Sequence, residues 1–291
     1  MSLRPRRSVL YMPGSNARAL EKAKTLAADG VILDLEDSVA PDAKETARKQ
    51  VVDSVKAGGF GSREVFIRVN AIDTPWHAED FAAAAHAAPD AILVPKITNP
   101  DQVEMVGRRL LDMHSDHEIR IWAMIESPLA IFNILSIAAE ARDSEARLSG
   151  FVMGTNDLAK DTRARLVPGR EPMVPWLMTC IAAARIHGID VLDGVYNTIG
   201  DAEGFVKECE QGRDMGFDGK TLIHPNQIEP CNKVFSPSPE EVAWARTMIA
   251  AFDLPENKSK GVVSIDGKMV ERLHADMARR TVAIADAIAA R

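Results

Sequence analysis

Short apolar runs alternate with amphipathic segments along most of the chain. The first run, Ser8 to Met12, ends at a Pro-Gly-Ser turn, and a helical pattern follows it through Ala28. Runs that are nearly all apolar are typical of strands covered on both faces in a parallel sheet. Seven further runs follow: Val31 to Leu35, Glu64 to Val69, Ala91 to Pro95, Ile119 to Ile125, Phe151 to Met153, Ile189 to Leu192 and Gly219 to Ile223. The pattern predicts eight strands, each followed by a helix.

Eight strand-helix units favour a closed barrel over an open doubly wound sheet. The predicted fold class is therefore α/β, a (β/α)8 TIM barrel with a C-terminal arm made of helices and a hairpin. In such a barrel the carboxyl ends of all strands meet on one face, which carries the active site. The strand ends carry Pro13-Gly14-Ser15, Glu36-Asp37, Arg68 with Asn70, Lys96, Glu126, Asp157, Asp193 and His224-Pro225.

The composition changes after residue 235. A helix-start signal at 236–241 predicts a helix to about Phe252, and 255–261 form a polar linker. The Asp266-Gly267 turn predicts a hairpin between 262–265 and 268–270, before a final Ala-rich helix. We therefore divide the chain into a barrel, residues 1–235, and an arm, residues 236–291, which we expect to act as a lid or to pack on a neighbouring subunit.

Composition and charge exclude several classes of protein. Of the 291 residues, 46% are hydrophobic and 26% are charged, as in an ordinary globular protein, and the net charge of −7 argues against nucleic-acid binding. Three cysteines without CxxC spacing suggest neither a disulfide framework nor a thiolate metal site, so we expect a cytoplasmic location. The apolar stretches are interrupted by charges and prolines, and we expect neither a secretory signal nor a membrane span.

Two carboxylates at strand ends form a candidate metal site. Glu126 closes an apolar run just before Pro128, and Asp157 follows the Gly-rich turn at Gly154. Hard oxygen ligands without a Cys or His cluster suit Mg²⁺, which commonly takes one or two protein carboxylates and completes its shell with water and substrate oxygens. The alternative is that each acid pairs with Arg or Lys or caps a helix. Their shared place on the catalytic face of the barrel favours Mg²⁺.

Arg68 and an acidic cluster form the second candidate group. The planar guanidinium of Arg68 suits a substrate carboxylate or a thioester oxygen, although a structural ion pair with Asp34, Glu36 or Asp37 is an alternative. Strand alternation predicts Asp34 and Glu36 on one side and Asp37 in the following loop. These acids are either solvated or support a Mg²⁺ ion and its waters from outside its ligand shell.

Two loops carry weaker signals. Pro13-Gly14-Ser15-Asn16 leads into a helix with Arg18, Lys22 and Lys24, an arrangement that could hold phosphate. The chain has neither a Walker loop nor a dinucleotide fingerprint. His224 could act as a ligand or a base, or it could fix its loop through backbone bonds. Tyr11 and Met153 are more typical of a core or a pocket wall.

The residues at the strand ends resemble those of a known family, the citrate lyase β-subunit-like (CitE-like) group of the HpcH/HpaI aldolase superfamily. The resemblance spans nearly the whole chain and is strongest to malyl-CoA and citramalyl-CoA lyases and to malyl-CoA thioesterase. It is carried by Arg7-Ser8 with Pro13-Gly14, Asp34-Leu35-Glu36-Asp37, Arg68-Val69-Asn70, Pro95-Lys96, Ile125-Glu126-Ser127, Gly154 with Asp157, Asp193-Gly194, and Gly219-Lys220 with Ile223-His224-Pro225.

The resemblance implies a Mg²⁺-dependent homo-oligomer, a trimer or hexamer, that acts on short 3-hydroxyacyl-CoA thioesters. It implies Mg²⁺ on Glu126 and Asp157, and substrate near Arg68 with Glu36 and Asp37 in the catalytic set. Where family members use an Arg on the CoA phosphates this chain has Asn16, and Arg18 would replace it. The implied CoA contacts are Tyr11, Arg18, Lys22, Asn156, Ile223 and His224.

The arm departs from the family pattern at Glu271. Lyases of this group carry an Asp there, which reaches a neighbouring subunit's site as the acid/base, and the added methylene shifts the carboxylate by roughly 1 Å. The resemblance implies retro-Claisen cleavage, in which Mg²⁺ chelates the distal carboxylate and 3-hydroxyl, Arg68 stabilises the thioester oxygen and Glu271 protonates carbon. One alternative is thioester hydrolysis with water directed by Glu271. Another is a citrate lyase β-type subunit that acts on a carrier-bound acyl group.

Overall fold

The structure, a computed structural model, describes residues 4–291 and contains two compact units. The first unit is Arg6–Asn232 and holds a closed barrel of eight strands. The second unit comprises Lys233–Arg291 together with Arg4 and Pro5. Within residues 4–291, no helix combines the length and the apolar character that crossing a membrane requires.

The barrel is formed entirely by parallel pairing of neighbouring strands. Each strand pairs with the next, and β1 pairs with β8 to close the barrel, with Val9 opposite Thr221. The predicted (β/α)8 fold is confirmed. The strands are β1 (Ser8–Pro13), β2 (Gly30–Asp34), β3 (Glu64–Arg68), β4 (Ala91–Val94), β5 (Arg120–Ile125), β6 (Leu148–Met153), β7 (Asp190–Asp193) and β8 (Gly219–Leu222).

Helices connect the strands on the outside of the barrel, as a parallel closed sheet requires. Three short 3₁₀ turns accompany them, at Pro41–Ala43, Glu140–Arg142 and Pro225–Gln227. The helices are α1 (Ala17–Ala23), α2 (Lys44–Ala57), α3 (His77–Ala87), α4 (Pro100–Asp112), α5 (Pro128–Phe132), α6 (Ile134–Ala139), α7 (Thr155–Thr162), α8 (Val174–His187), α9 (Ala202–Met215) and α10 (Ile228–Phe235).

Large apolar side chains fill the barrel interior. Phe66 and Trp122 meet edge to face, with ring centroids 5.3 Å apart and an interplanar angle of 87°. They pack in a buried cluster with residues of the other strands, among them Val9, Ile32 and Val152. Because the interior is a packed core rather than a pore, substrates have access only to the strand ends.

The first helix is shorter than predicted, because it ends at Ala23 rather than at Ala28. The hydroxyl of Thr25 donates to the carbonyl of Lys22 at 2.9 Å, and the Thr25 amide bonds the same carbonyl at 3.0 Å. Such local bonds compete with the helical pattern and favour its end. The predicted phosphate-binding helix is therefore only seven residues long.

The second strand also ends earlier than predicted, at Asp34, so strand alternation does not place Glu36. The Asp34 carboxylate accepts hydrogen bonds from the amides of Glu36, at 2.9 Å, and Ser38, at 3.1 Å. This is the local turn that Asp favours at the end of an element. Glu36 therefore lies outside the strand and is held by this turn, although its carboxylate, like that of Asp34, contacts Arg68.

The second unit has its own small core. It consists of α11 (Pro239–Asp253), the antiparallel strands β9 (Val262–Ile265) and β10 (Lys268–Glu271), and α12 (Arg272–Ala289). The hairpin turn has positive φ at both Asp266 (49°) and Gly267 (76°), as its two-residue connection favours. Its buried side chains are Phe252, Val263, Ile265, Val270 and Ala275.

Candidate active site

A buried ion pair ties the ends of β2 and β3 together. Arg68 lies opposite Asp34 in the sheet register, and its Nε and Nη2 donate to the two carboxylate oxygens at 2.6 and 2.7 Å. The side chains are only 8% and 1% exposed. Burial alone would raise the pKa of Asp34, but the charge and hydrogen bonds of Arg68 outweigh it and lower that pKa. The ion pair considered from the sequence is therefore present, and it fixes the guanidinium plane.

The rest of the Arg68 guanidinium is also surrounded. Its Nη1 lies 2.9 Å from Glu36 Oε2, 3.7 Å from Asp37 Oδ2 and 3.7 Å from the sulfur of Met124. The guanidinium lies over the Tyr11 ring, with Arg68 Cζ 4.8 Å from the ring centroid. Because the cation is held along its edges and on one face, it can contact a substrate only through its remaining N–H.

Lys44 holds the loop that carries Glu36. Its ammonium group donates to the carbonyls of Leu35 and Glu36 at 2.8 and 2.7 Å and to Asn70 Oδ1 at 2.7 Å. Burial raises the pKa of Glu36 to about 8, although the charge of Arg68 acts in the opposite direction. Glu36 is thus a positioned carboxyl that takes up a proton near neutral pH.

Glu126 follows β5 directly and is only 3% exposed. Its Oε1 accepts the backbone N–H of Lys96 at 2.7 Å, whereas Oε2 has no hydrogen-bond partner among residues 4–291. Burial raises the pKa of Glu126 to about 7, against the opposing effects of the Lys96 amide and of Arg68. A Cβ built on Gly154 would lie 2.5 Å from Oε2, so the absence of a side chain at Gly154 leaves room for the carboxylate.

Asp157 lies in the first turn of α7 and is 26% exposed. Its Oδ1 accepts a hydrogen bond from Lys160 at 3.0 Å, one helical turn away. Its negative charge contributes to the raised pKa of Glu126, as expected for a nearby carboxylate. The assignment of both carboxylates as metal ligands remains a prediction.

These two carboxylates fit a Mg²⁺ ion. Glu126 offers an unpaired oxygen from a buried side chain, and Asp157 offers a second oxygen from the neighbouring strand end. In the described part of the chain, no group of three or more His, Cys, Asp or Glu side chains is arranged as a metal cage. Mg²⁺ suits such a site, since it commonly keeps waters and substrate oxygens in its shell.

Several of the residues expected to bind CoA make local hydrogen bonds or are exposed. Asn16 caps α1, because its side chain accepts the Ala19 amide at 3.1 Å, and Arg18 and Lys22 are exposed on that helix. This cap gives Asn16 a structural role at the start of α1. The side-chain amides of Asn156 and Asn197 pair reciprocally, at 3.1 and 2.7 Å.

His224 makes the loop-fixing bonds considered from the sequence. Its Nδ1 accepts the amide hydrogen of Asn226 at 3.2 Å, and Gln227 Oε1 accepts the amides of Ile223 and His224 at 3.0 and 3.2 Å. The side chain of Gln227 in turn donates to the Tyr196 carbonyl at 3.1 Å. The loop after β8 is therefore rigid, with Ile223 exposed at its surface.

Glu271 belongs to the second unit. It is the last residue of β10 and the residue before α12, and it is exposed. Its amide donates to His274 Nδ1 at 3.0 Å, which helps to start the helix. The role of the Glu271 carboxylate as an acid/base remains a prediction.

Two lysines at the site were given no catalytic or binding role from the sequence, where Lys96 was named only as a strand-end and motif residue. Lys96 follows a strand, and this position at the catalytic face was the signal available for it. Lys44 begins an amphipathic helix, where a lysine usually indicates a solvated face, and no local pattern marks its burial. Its acceptors come from Leu35 and Glu36 before it and from Asn70 in the next strand-helix loop, so only the fold shows its contacts.

The geometry can be compared with known proteins. The family model described as HpcH/HpaI aldolase/citrate lyase matches residues 7–225. The chain belongs to this family. The matched range includes Arg68, Glu126 and Asp157, and the resemblance inferred from the strand ends is confirmed.

Relatives of this family member are enzymes. It is 50% identical over 286 residues to (3S)-malyl-CoA thioesterase of Cereibacter sphaeroides, covering 98% of this chain and 96% of the relative. It is 32% identical over 288 residues to the citrate lyase subunit beta of Escherichia coli, covering 97% and 94%. Among solved structures, CitE of Mycobacterium tuberculosis in complex with magnesium, acetoacetate and coenzyme A is 30% identical, with a TM-score of 0.78 and coverage of 98% of this chain and 100% of that chain.

Proposed function

We propose that this protein is a Mg²⁺-dependent enzyme that acts on a short 3-hydroxyacyl-CoA thioester ending in a carboxylate, such as malyl-CoA. The observation that carries the proposal is the unpaired oxygen of the buried Glu126 carboxylate, whose pKa responds to the nearby charges of Asp157 and of the fixed Arg68. The relative named as a malyl-CoA thioesterase supports the substrate, and the CitE complex with magnesium and coenzyme A supports the metal and the carrier.

The carboxylates of Glu126 and Asp157 would hold the ion. When bound, Mg²⁺ supplies a Lewis acid that polarises substrate oxygens. Arg68 would donate its remaining N–H to the thioester oxygen, where negative charge develops during either reaction. Asp34 holds that donor in place before substrate arrives, so its orientation needs no rearrangement.

The CoA moiety would lie along residues of the strand-end loops. The exposed Arg18 and Lys22 on α1 are suited to phosphates, because Lys and Arg are the usual side-chain partners of phosphate. Glu36 and Asp37 would assist by flanking Arg68. The proposed CoA-binding set is Tyr11, Arg18, Lys22, Asn156, Ile223 and His224.

We propose thioester hydrolysis as the main reaction, with malate and free CoA as the products of malyl-CoA and water. The relative that is 50% identical and named as a thioesterase favours this outcome. Retro-Claisen cleavage to acetyl-CoA and glyoxylate is the second candidate, favoured by the aldolase/lyase family and by the citrate lyase relatives. Both reactions would use the same carboxylates and Arg68.

The test is to incubate the purified chain alone with malyl-CoA and Mg²⁺ and to follow free thiol and glyoxylate separately. Hydrolysis releases thiol without glyoxylate, whereas cleavage releases glyoxylate while the thiol stays acylated. Turnover by the chain alone would contradict a requirement for a carrier-bound acyl group, as in a citrate lyase subunit. Absence of free thiol and of the 2-oxo acid, which is glyoxylate from malyl-CoA and pyruvate from citramalyl-CoA, would contradict the proposal.

Glu271 would direct water in hydrolysis or protonate carbon in cleavage. The variant Glu271→Asp shortens the side chain by one methylene and moves the carboxylate by roughly 1 Å. We expect it to shift the products from thiol toward glyoxylate. A hydrolysis-to-cleavage ratio equal to that of the wild type would contradict this role.

We also propose a homo-oligomer, a trimer or hexamer, in which the arm of one chain serves a neighbouring site. Exposed apolar side chains on the second unit, Met269, Leu273 and Met277, supply contact surface for a neighbour. A chain truncated after Phe252 is expected to lose both assembly, measured by analytical ultracentrifugation, and activity. Survival of both would contradict the arrangement.

A further inference from the structure

Lys96 has an unusual backbone conformation at the candidate site. It follows β4 and has a φ of 56°, the left-handed region that residues with a Cβ seldom adopt. Its amide donates to Glu126 Oε1 at 2.7 Å. Such a conformation persists where the surrounding structure holds it, and it is frequent at functional sites. The backbone of Lys96 is therefore fixed against a proposed metal ligand.

The ammonium group of Lys96 is available to a ligand. Its nearest carboxylate oxygen is Glu36 Oε1 at 3.9 Å, beyond hydrogen-bond distance, and the side chain is 50% exposed. It makes no hydrogen bond to any residue within 4–291. All three of its N–H donors can therefore point to an incoming group.

A substrate carboxylate would enter a space lined by several carboxyl groups. Arg68 is another cation at the site, but Asp34 takes two of its N–H groups and Glu36 lies 2.9 Å from a third nitrogen. Lys160 is engaged by Asp157 and Asp161. The acids around the site are Asp34, Glu36, Asp37, Glu126 and Asp157.

We infer that Lys96 binds the distal carboxylate of the acyl-CoA and so selects acyl chains that end in a carboxylate. The inference rests on the proposed function and adds a specificity-determining side chain to it. A carboxylate has several acceptor positions, so the ammonium of Lys96 and a metal ion can share one. Arg68 then contacts the thioester end of the substrate, where its remaining N–H can donate one hydrogen bond to the thioester oxygen.

The test compares two four-carbon acyl groups, one with and one without a terminal carboxylate. Dissociation constants for succinyl-CoA and butyryl-CoA are measured by calorimetry in the presence of Mg²⁺. We expect the wild type to bind succinyl-CoA about tenfold more tightly than butyryl-CoA, which is the effect on affinity of one hydrogen bond to a charged group. Lys96→Met should reduce that preference to near unity and leave butyryl-CoA binding unchanged.

Further variants keep the test decisive. Lys96→Asn removes the charge but tolerates the left-handed backbone, so it serves if the methionine variant does not fold. Lys96→Arg should retain most of the preference. Lys56→Met removes an exposed lysine from the end of α2 and should behave as the wild type.

The outcomes separate the inference from the proposed function. A wild-type preference that persists in Lys96→Met or Lys96→Asn would overturn the role of Lys96 and leave the proposed function standing. Equal binding of both ligands by the wild type would overturn the proposed substrate class and the inference together.

Discussion

Replacing Gly154 with alanine is expected to displace the Glu126 carboxylate. A Cβ at this position would lie 2.4 Å from Glu126 Cβ and 2.5 Å from Oε2. Ordinary contacts between such atoms are about 3.5–4.0 Å, so the side chain must move by about 1 Å. The φ of −95° at Gly154 is open to alanine, and the cost therefore comes from the contact and not from the backbone.

A shift of about 1 Å in a reacting group costs on the order of 100-fold in rate. We expect Gly154→Ala to lower turnover of malyl-CoA by about that factor and to weaken Mg²⁺ binding measured by calorimetry. Overpacking should also lower the free energy of unfolding by about 1–3 kcal/mol. Urea unfolding checks this last effect.

A matched control is available at Gly200, where an added Cβ would meet no atom within 4 Å. Gly200→Ala should match the wild type in turnover, Mg²⁺ affinity and unfolding. If Gly154→Ala bound Mg²⁺ with wild-type affinity and turned over at the wild-type rate, the placement of Glu126 as a metal ligand would be refuted.

Further predictions concern the candidate metal site and the buried ion pair of Asp193 and Lys220. Glu126→Ala and Asp157→Ala should each abolish Mg²⁺-dependent turnover, whereas Asp161→Ala on the same helix should not; retained activity in either of the first two variants contradicts the metal assignment. Mg²⁺ affinity should rise with pH through about 7 and then level off, because burial raises the pKa of Glu126 to about 7 and its proton must leave before a metal binds. In the metal-free protein the sign is opposite: the contribution of Glu126 to stability is fully present below its ordinary pKa of 4.5 and is lost as pH rises through about 7, which pH-dependent urea unfolding would show. Asp193→Asn should cost about 3–5 kcal/mol in urea unfolding, because it removes the negative charge that the buried Lys220 and Arg170 share and leaves Glu208 as their remaining carboxylate; an unchanged unfolding midpoint would contradict this.

The barrel could be predicted because its signal is periodic and repeated. Each strand is a short apolar run between polar turns, so an error at one strand end does not change the number of strands. The ends themselves depend on single hydrogen bonds. The Thr25 hydroxyl bonds the Lys22 carbonyl near the end of α1, and the Asp34 carboxylate accepts the Glu36 amide at the end of β2. A hydrophobic pattern shows neither bond.

The site could be predicted only in part for a related reason. Arg68 ends β3, Glu126 follows β5 and Asp157 lies in the first turn of α7 after β6, and the closed barrel places the ends of these strands at one face. Lys44 reaches this face from a helix, through acceptors on two different loops. Lys96 stands at a strand end, but its proposed role depends on the hydrogen bonds between Arg68 and Asp34. Those bonds are known only from the structure.

Lys96 contributes its backbone amide to Glu126 and its side-chain charge to the proposed substrate contact, and the left-handed backbone allows the two to be changed separately. Glycine adopts this conformation without strain, so Lys96→Gly would keep the amide on Glu126 while deleting the charge. A β-branched residue resists a positive φ, so Lys96→Val would disturb the amide as well. Substitutions at position 96 can therefore change the substrate preference while the Glu126 carboxylate stays in place, provided that the new residue tolerates a positive φ.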